Sequence, residues 1–297
     1  MRVFITGASG WIGSAAVDEL LATGHQVLGL ARSDASAASL AAKGADVLRG
    51  DLDDLDSLRA GAADSEAVLH LANKHDWVNP AESNRAERVA VQTLLDALEG
   101  SGRRFMLASG VAGLASGRPS TERDASPFSG PDAMRGGTEN LALDYLDRGV
   151  HALSARFAPT VHGMGDHGFI AILTQVAREK GVAGYIGEGT NRWAAVHRAD
   201  AARVVRLGLE AAPAGSRLHA VGEEGVPTRE IAGYIGAALG VPTTSIDPAD
   251  AVAHFGVLGR FFGAEMSASS IRTQELLGWT PTGPTLGEDI AAGAYAS

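Results

Sequence analysis

Thr6-Gly7-Ala8-Ser9-Gly10-Trp11-Ile12-Gly13 follows the β-rich run Arg2–Thr6 and opens an amphipathic segment, and its glycines keep a G-x-x-G-x-x-G spacing. Gly7 permits a tight turn, Gly10 lets the backbone approach a pyrophosphate, and Gly13 lets the helix pack closely on the sheet. The helix start then offers free N–H groups and a positive dipole end to phosphate oxygens. With 38 glycines in 297 residues such spacings arise by chance, so the plain alternative is an ordinary β–α turn. The position between a strand and a helix, at the start of the chain, favours dinucleotide binding. Thr6, Ser9, Trp11 and Ile12 share the turn and join the three glycines as candidate cofactor contacts.

The second β-rich run, Gln26–Ala31, ends in Ala31-Arg32-Ser33. An acidic residue there would accept the ribose 2′-OH and repel a 2′-phosphate. Arg32 instead brings a planar, permanently charged fork and Ser33 a hydroxyl, which points to NADP. A solvated surface arginine is the alternative, and Asp34 stands close by.

Outward from these turns, further strands are expected at Asp46–Arg49, Ala67–Leu71, Arg104–Ala108 and Ala152–Phe157, with helices at Ser14–Ala22 and Pro80–Leu98. Pro80–Leu98 carries apolar Val89, Leu94, Leu95 and Leu98 and stops at Gly100. Strands alternating with longer amphipathic segments imply an α/β fold, a doubly wound parallel Rossmann sheet with crossover helices. Beyond Gly163 the pattern loosens into Gly-rich loops, with helices expected at Phe169–Lys180, Ala199–Glu210 and Thr228–Leu239. The expected division is a dinucleotide-binding domain over 1–165, joined by a returning segment 196–220, and a smaller C-terminal substrate lobe from 166–195 and 221–297.

Composition narrows the function. Asp and Glu number 35 against 25 Lys and Arg, a net charge of −10, so a nucleic-acid backbone would be repelled. Cysteine is absent, which removes disulfides, thiolate catalysis and sulfur-ligated metals and fits a reducing cytosol. None of the nine histidines sits in a metal-ligand spacing, and no metal is expected. No apolar run is long enough for a membrane span, and Thr6-Gly7 cuts short any signal-peptide core. A soluble, cytoplasmic protein with a small-molecule partner is expected.

The order of motifs resembles the short-chain dehydrogenase/reductase superfamily, in its extended and atypical branches. The matching pieces are the turn at 6–13, Arg32-Ser33, Gly50-Asp51-Leu52, His70-Leu71-Ala72, Ala108-Ser109-Gly110, Arg156-Phe157-Ala158-Pro159-Thr160-Val161-His162-Gly163 and Val196-His197-Arg198-Ala199-Asp200. The resemblance implies that Asp51 and Leu52 meet the adenine, that Leu71 and Ala72 line its ribose, and that Pro159, Thr160 and Val161 border the nicotinamide, with Ala108 at the same sheet edge. Asp51 capping the next helix, and the others merely packing strand ends, is the competing reading.

The superfamily's catalytic pair is Tyr-x-x-x-Lys after the fifth strand, with a Ser or Thr before it. Anchored on Glu139, this chain has Pro131 at the tyrosine position and Arg135 at the lysine position. The tyrosines are Tyr145, Tyr185, Tyr234 and Tyr295, and none begins a Tyr-x-x-x-Lys. Tyr145 would lie on the same helix about 15 Å beyond Arg135. Ser109 stands near the usual serine, although a one-residue shift would put Gly110 there. His162 is the other candidate acid, against the alternative of a hydrogen-bonded loop histidine. His75, Trp77 and Trp193 are candidate substrate contacts, against surface or core roles.

A second proton source is the substrate itself, where a ketone beside a phenol carries its own donor. In this the chain resembles ketoreductases of aromatic polyketides, including those of angucyclinone biosynthesis. The expected function is NADPH-dependent reduction of a ketone on a phenolic natural product. A noncatalytic NADP-binding sensor or scaffold and a sugar-nucleotide epimerase or dehydratase are the alternatives.

Overall fold

The structure is a computed structural model, and it describes residues 1–74, 79–130, 133 and 137–296. The first half alternates strands and helices: β1 (Arg2–Thr6), α1 (Trp11–Ala22), β2 (Gln26–Ala31), α2 (Asp34–Ala42), β3 (Asp46–Arg49), α3 (Leu55–Ala63), β4 (Ala67–His70), α4 (Pro80–Leu98), β5 (Arg104–Gly110), α5 (Gly137–Asp144) and β6 (His151–Phe157). The six strands expected from the sequence all form, with ends shifted by no more than two residues. β4 is buried at all four positions, as a central parallel strand must be.

The second half contributes β7 (Thr160–His162), α6 (Phe169–Lys180), β8 (Ala183–Ile186), β9 (Arg192–His197), α7 (Arg198–Ala211), β10 (Arg217–Ala220), β11 (Glu223–Pro227), α8 (Thr228–Leu239), β12 (Thr243–Ile246), α9 (Ala251–Phe255), α10 (Ile271–Leu277) and α11 (Leu286–Ala291). Here the sequence misleads most, since short strands occupy stretches expected to be Gly-rich loop. β8 and β12 are four residues each and partly exposed, so period-2 alternation has no length in which to show.

Seven strands form one parallel sheet in the order β10-β6-β5-β4-β1-β2-β3. The order reverses between β1 and β4, which opens the crevice where such folds bind ligands at the carboxyl ends of the strands. One face buries Ala16, Val17 and Leu20 of α1 with Val204, Val205 and Leu209 of α7. The other buries Leu58 and Ala62 of α3 with Val91, Leu94 and Leu98 of α4. Val89 departs from its expected role: it is 48% exposed, because five residues separate it from Leu94 and turn it off the apolar stripe.

A third cluster lies outside the large sheet, among α6, β9, α8, α9 and α11. Trp193 is fully buried in it, packed by Phe169, Phe261 and Phe262, and its indole N–H donates to the Ala264 carbonyl. Two small sheets, β11-β9-β7 and β12-β8, tie this part together. Among the described residues, no helix is long and apolar enough to cross a membrane, and no group of three His, Asp or Glu could hold a metal ion.

Candidate functional site

The turn between β1 and α1 is built from the two glycines that admit no side chain. Gly7 has φ +70°, and a Cβ there would stand 2.7 Å from the Ala72 nitrogen just past β4. A Cβ on Gly13 would stand 2.0 Å from the Gly7 carbonyl. A Cβ on Gly10 would stand 3.1 Å from the Gly7 carbonyl oxygen, and this residue caps α1 without any side-chain hydrogen bond to the first-turn N–H groups. The result is a backbone cradle with unclaimed donors, the feature an anion needs. Thr6 Oγ1 lies 2.8 Å from His70 Nδ1 and accepts the Ala72 N–H, which fixes the floor of the turn to the end of β4. Trp11 Nε1 donates to the Val161 carbonyl at 2.7 Å and so joins the turn to β7. Ser9 and Gly10 are exposed, and Ile12 is half-buried against the α1 core.

At the end of β2, Ser33 caps α2 by accepting the Ser36 N–H. The Arg32 side chain is exposed and has no ion-pair partner among the described residues. Asp34 pairs with Arg49 at 3.0 Å. Arg49 escaped the reading of the sequence, yet it directly precedes Gly50-Asp51-Leu52, and parallel register sets it beside Ala31. Asp51 accepts the N–H groups of Asp53 and Asp54, while Asp54 itself caps α3, and Leu52 packs partly buried against the α3–α4 core.

Leu71, Ala72, Ala108 and Ser109 lie along the same carboxyl edge, since Leu71 donates to the Thr6 carbonyl and β5 neighbours β4. Ser109 is 6% exposed on the strand face opposite Ala108, and Gly110 is exposed. Pro159 stands half-exposed just before β7. Thr160 is buried and its hydroxyl has no partner among the described residues, an orphan donor of the kind a carboxamide would satisfy. The orphan hydroxyl, the Cβ-free cradle and the unclaimed α1 donors together fit a nicotinamide dinucleotide.

His162 is fully buried at the end of β7, with Nδ1 2.5 Å from Asp289 of α11 and Nε2 3.8 Å from Glu223. Burial pushes its pKa down, against the raising effect of Asp289. The neutral ring therefore donates from Nδ1 to the carboxylate and carries only a lone pair on Nε2. Asp289 is the missed partner, since 127 residues separate the two in sequence.

Pro131, Arg135, His75 and Trp77 lie outside the described residues. Glu87 of α4 is 3% exposed and accepts from Asn73 Nδ2 at 2.7 Å and Thr138 Oγ1 at 3.2 Å. A void of about 10 Å³, close to the size of one water, lies against Asn84, Glu87, Gly137 and Thr138. Glu139 is fully buried with Arg156, bonded through Oε2 at 2.8 Å, and Ser154 donates to the same oxygen at 2.7 Å. Tyr145 falls in the turn past α5, not within that helix, and its buried ring sends the hydroxyl to Asp96.

A model of the NAD dependent epimerase/dehydratase family matches residues 3–221. Uncharacterized protein YLL056C of Saccharomyces cerevisiae is 44% identical over 294 residues, 98% of each chain. The 4-hydroxy-2-methyl-3-oxo-4-farnesyl-3,4-dihydroquinoline-1-oxide ketoreductase of Stigmatella aurantiaca is 29% identical over 72% of this chain and 66% of its own. In fold the chain is similar to DesIV, a dTDP-glucose 4,6-dehydratase from Streptomyces venezuelae, whose double mutant has a crystal structure with NAD and DAU bound. There the TM-score is 0.79 at 23% identity, over 99% of this chain and 96% of that one.

Proposed function

This chain belongs to the NAD dependent epimerase/dehydratase family, and from that premise we propose that it is an NADPH-dependent ketoreductase acting on a ketone that carries its own proton donor. The reading is supported by the β1–α1 turn, which admits no Cβ at Gly7 or Gly13 and leaves the start of α1 without a side-chain cap, in a chain whose sequence holds no Tyr-x-x-x-Lys. Bound NADPH supplies hydride. The Gly7–Gly13 turn and the α1 N–H groups receive its pyrophosphate, Arg32 and Ser33 its 2′-phosphate, and the Thr160 hydroxyl its carboxamide.

No tyrosine stands at the usual position to protonate the product oxygen, and His162 is spent on Asp289. A phenol beside the ketone, as in aromatic polyketides, fills that need: it polarises the carbonyl through an internal hydrogen bond and passes its proton on as hydride arrives. Ser109 orients the carbonyl and is not its acid. The substrate binds between the large sheet's carboxyl edge and the lobe formed by 166–195 and 221–297. The ketoreductase name of the Stigmatella aurantiaca relative supports the reaction class.

The family itself favours a second reading, a sugar-nucleotide epimerase or dehydratase that keeps and recycles its cofactor. The test is stoichiometric. Purified protein is given NADPH or NADH with a panel of phenolic ketones, plain ketones and sugar nucleotides, and nicotinamide absorbance and products are followed. Consumption of NADPH matched by alcohol formed is expected. Sugar-nucleotide conversion without net cofactor loss selects the second reading, and tight NADPH binding with no turnover on any substrate selects a sensor or scaffold.

A further inference from the structure

Arg49 ends β3 in register with Ala31, the last residue of β2 before Arg32. Paired residues on neighbouring parallel strands project to the same face about 4.8 Å apart. Ala31 is fully buried toward α1 and Leu40 of α2, so Arg49 emerges on the side where α2 begins. There its Nη2 reaches Asp34 Oδ1 at 3.0 Å and donates to the Arg32 carbonyl at 3.4 Å. The guanidinium is thus folded back over the segment Arg32-Ser33-Asp34, in which the adjacent Arg32 side chain has no ion pair among the described residues.

We propose that Arg49 is a second 2′-phosphate ligand, and that Asp34 holds it in place of the phosphate until NADPH binds. The inference rests on the NADPH reading above and names a specificity-determining residue within it. Asp34 is fully exposed and the Arg49 side chain half-exposed. Exchange of such a pair for a phosphate dianion is favourable, because exposed ion pairs are weak whereas charge-assisted bonds to phosphate are strong and bidentate for arginine. Asp34 then acts against NADP twice, by occupying Arg49 and by leaving a negative charge beside the phosphate. Chemically it is a brake on affinity placed next to the ligand that supplies it.

The experiment measures dissociation constants of NADPH and NADH, and of 2′,5′-ADP and ADP as fragments, for wild type, Arg49→Gln, Asp34→Asn and Arg32→Ala. Arg49→Gln is expected to weaken NADPH and 2′,5′-ADP by about tenfold and to leave NADH and ADP unchanged. Asp34→Asn is expected to tighten NADPH severalfold, again without moving NADH. Unchanged NADH binding serves as the control for folding. If Arg32→Ala loses NADPH selectivity and Arg49→Gln does not, Arg32 acts alone and the inference falls while the NADPH reading stands. If Arg49→Gln weakens both cofactors equally, Arg49 only supports the strand end and the inference also falls. A wild type that binds NADH as tightly as NADPH removes the premise itself.

Discussion

Burial pushes the pKa of two histidines, His219 and His162, down. His219 accepts from Arg156 at Nε2, at 3.3 Å, and donates from Nδ1 to the Ser269 carbonyl at 2.8 Å, so both nitrogens are used in the neutral form. Burial, reinforced by the Arg156 charge and opposed by Glu122 and Glu139, lowers its pKa from near 6.5 to about 4. A histidine depressed in this way contributes stability that is complete above the unfolded pKa and is lost as pH falls from about 6.5 toward about 4. Urea unfolding of wild type is therefore expected to show a smaller unfolding free energy at about pH 5 than at about pH 7, with the difference reduced in His219→Gln. An equal difference in the variant would assign the pH dependence elsewhere. His162 shifts in the same direction but serves the joint between β7 and α11. His162→Ala is expected to lose about 2–3 kcal/mol of stability, measured by urea unfolding, because Asp289 is left buried without its donor. It should retain NADPH binding and ketone turnover; a folded variant that binds NADPH and turns nothing over would make His162 the acid.

At the scale of elements, the β1–α1 turn was legible because every constraint is local in sequence: a strand, three glycines and a helix within one short run. The same holds for Pro80–Leu98, whose proline start and terminal glycine mark both ends. What escaped was set by partners distant in the chain. Arg49 acquires meaning only from its register with Ala31, and Asp289 only from α11 folding back onto β7. The short strands β8 and β12 are held by each other and by α8, without sufficient length for a pattern of their own. The turn also yields a sharp substitution test. Gly13→Ala, whose Cβ would meet the Gly7 carbonyl at 2.0 Å, is expected to abolish measurable NADPH binding and lower the melting temperature. Gly24→Ala, with nothing within 4 Å and only a left-handed backbone to strain, should cost about 1 kcal/mol and leave binding intact. Equal binding by both variants would mean that the turn does not hold the cofactor.

On the scale of the whole molecule, the parallel sheet, the crevice at its order reversal and a second core of helices and short strands describe an oxidoreductase of the epimerase/dehydratase family. The fold class followed from the alternation of strands and helices, while the chemistry did not, because no Tyr-x-x-x-Lys occurs in the sequence to announce it. The proposed reaction makes one demand on the substrate in consequence: its own phenol must supply the proton. The most direct measurement is single-turnover oxidation of enzyme-bound NADPH by a ketone flanked by a free phenol, compared with the methyl ether of the same compound. Binding of the ether is measured in parallel as inhibition, so that bulk is separated from chemistry. The ether is expected to bind comparably and to be reduced at least about 100-fold more slowly. An ether that binds as well and is reduced at the parent rate would contradict the proposed reaction and place the acid in the protein or in an ordered water.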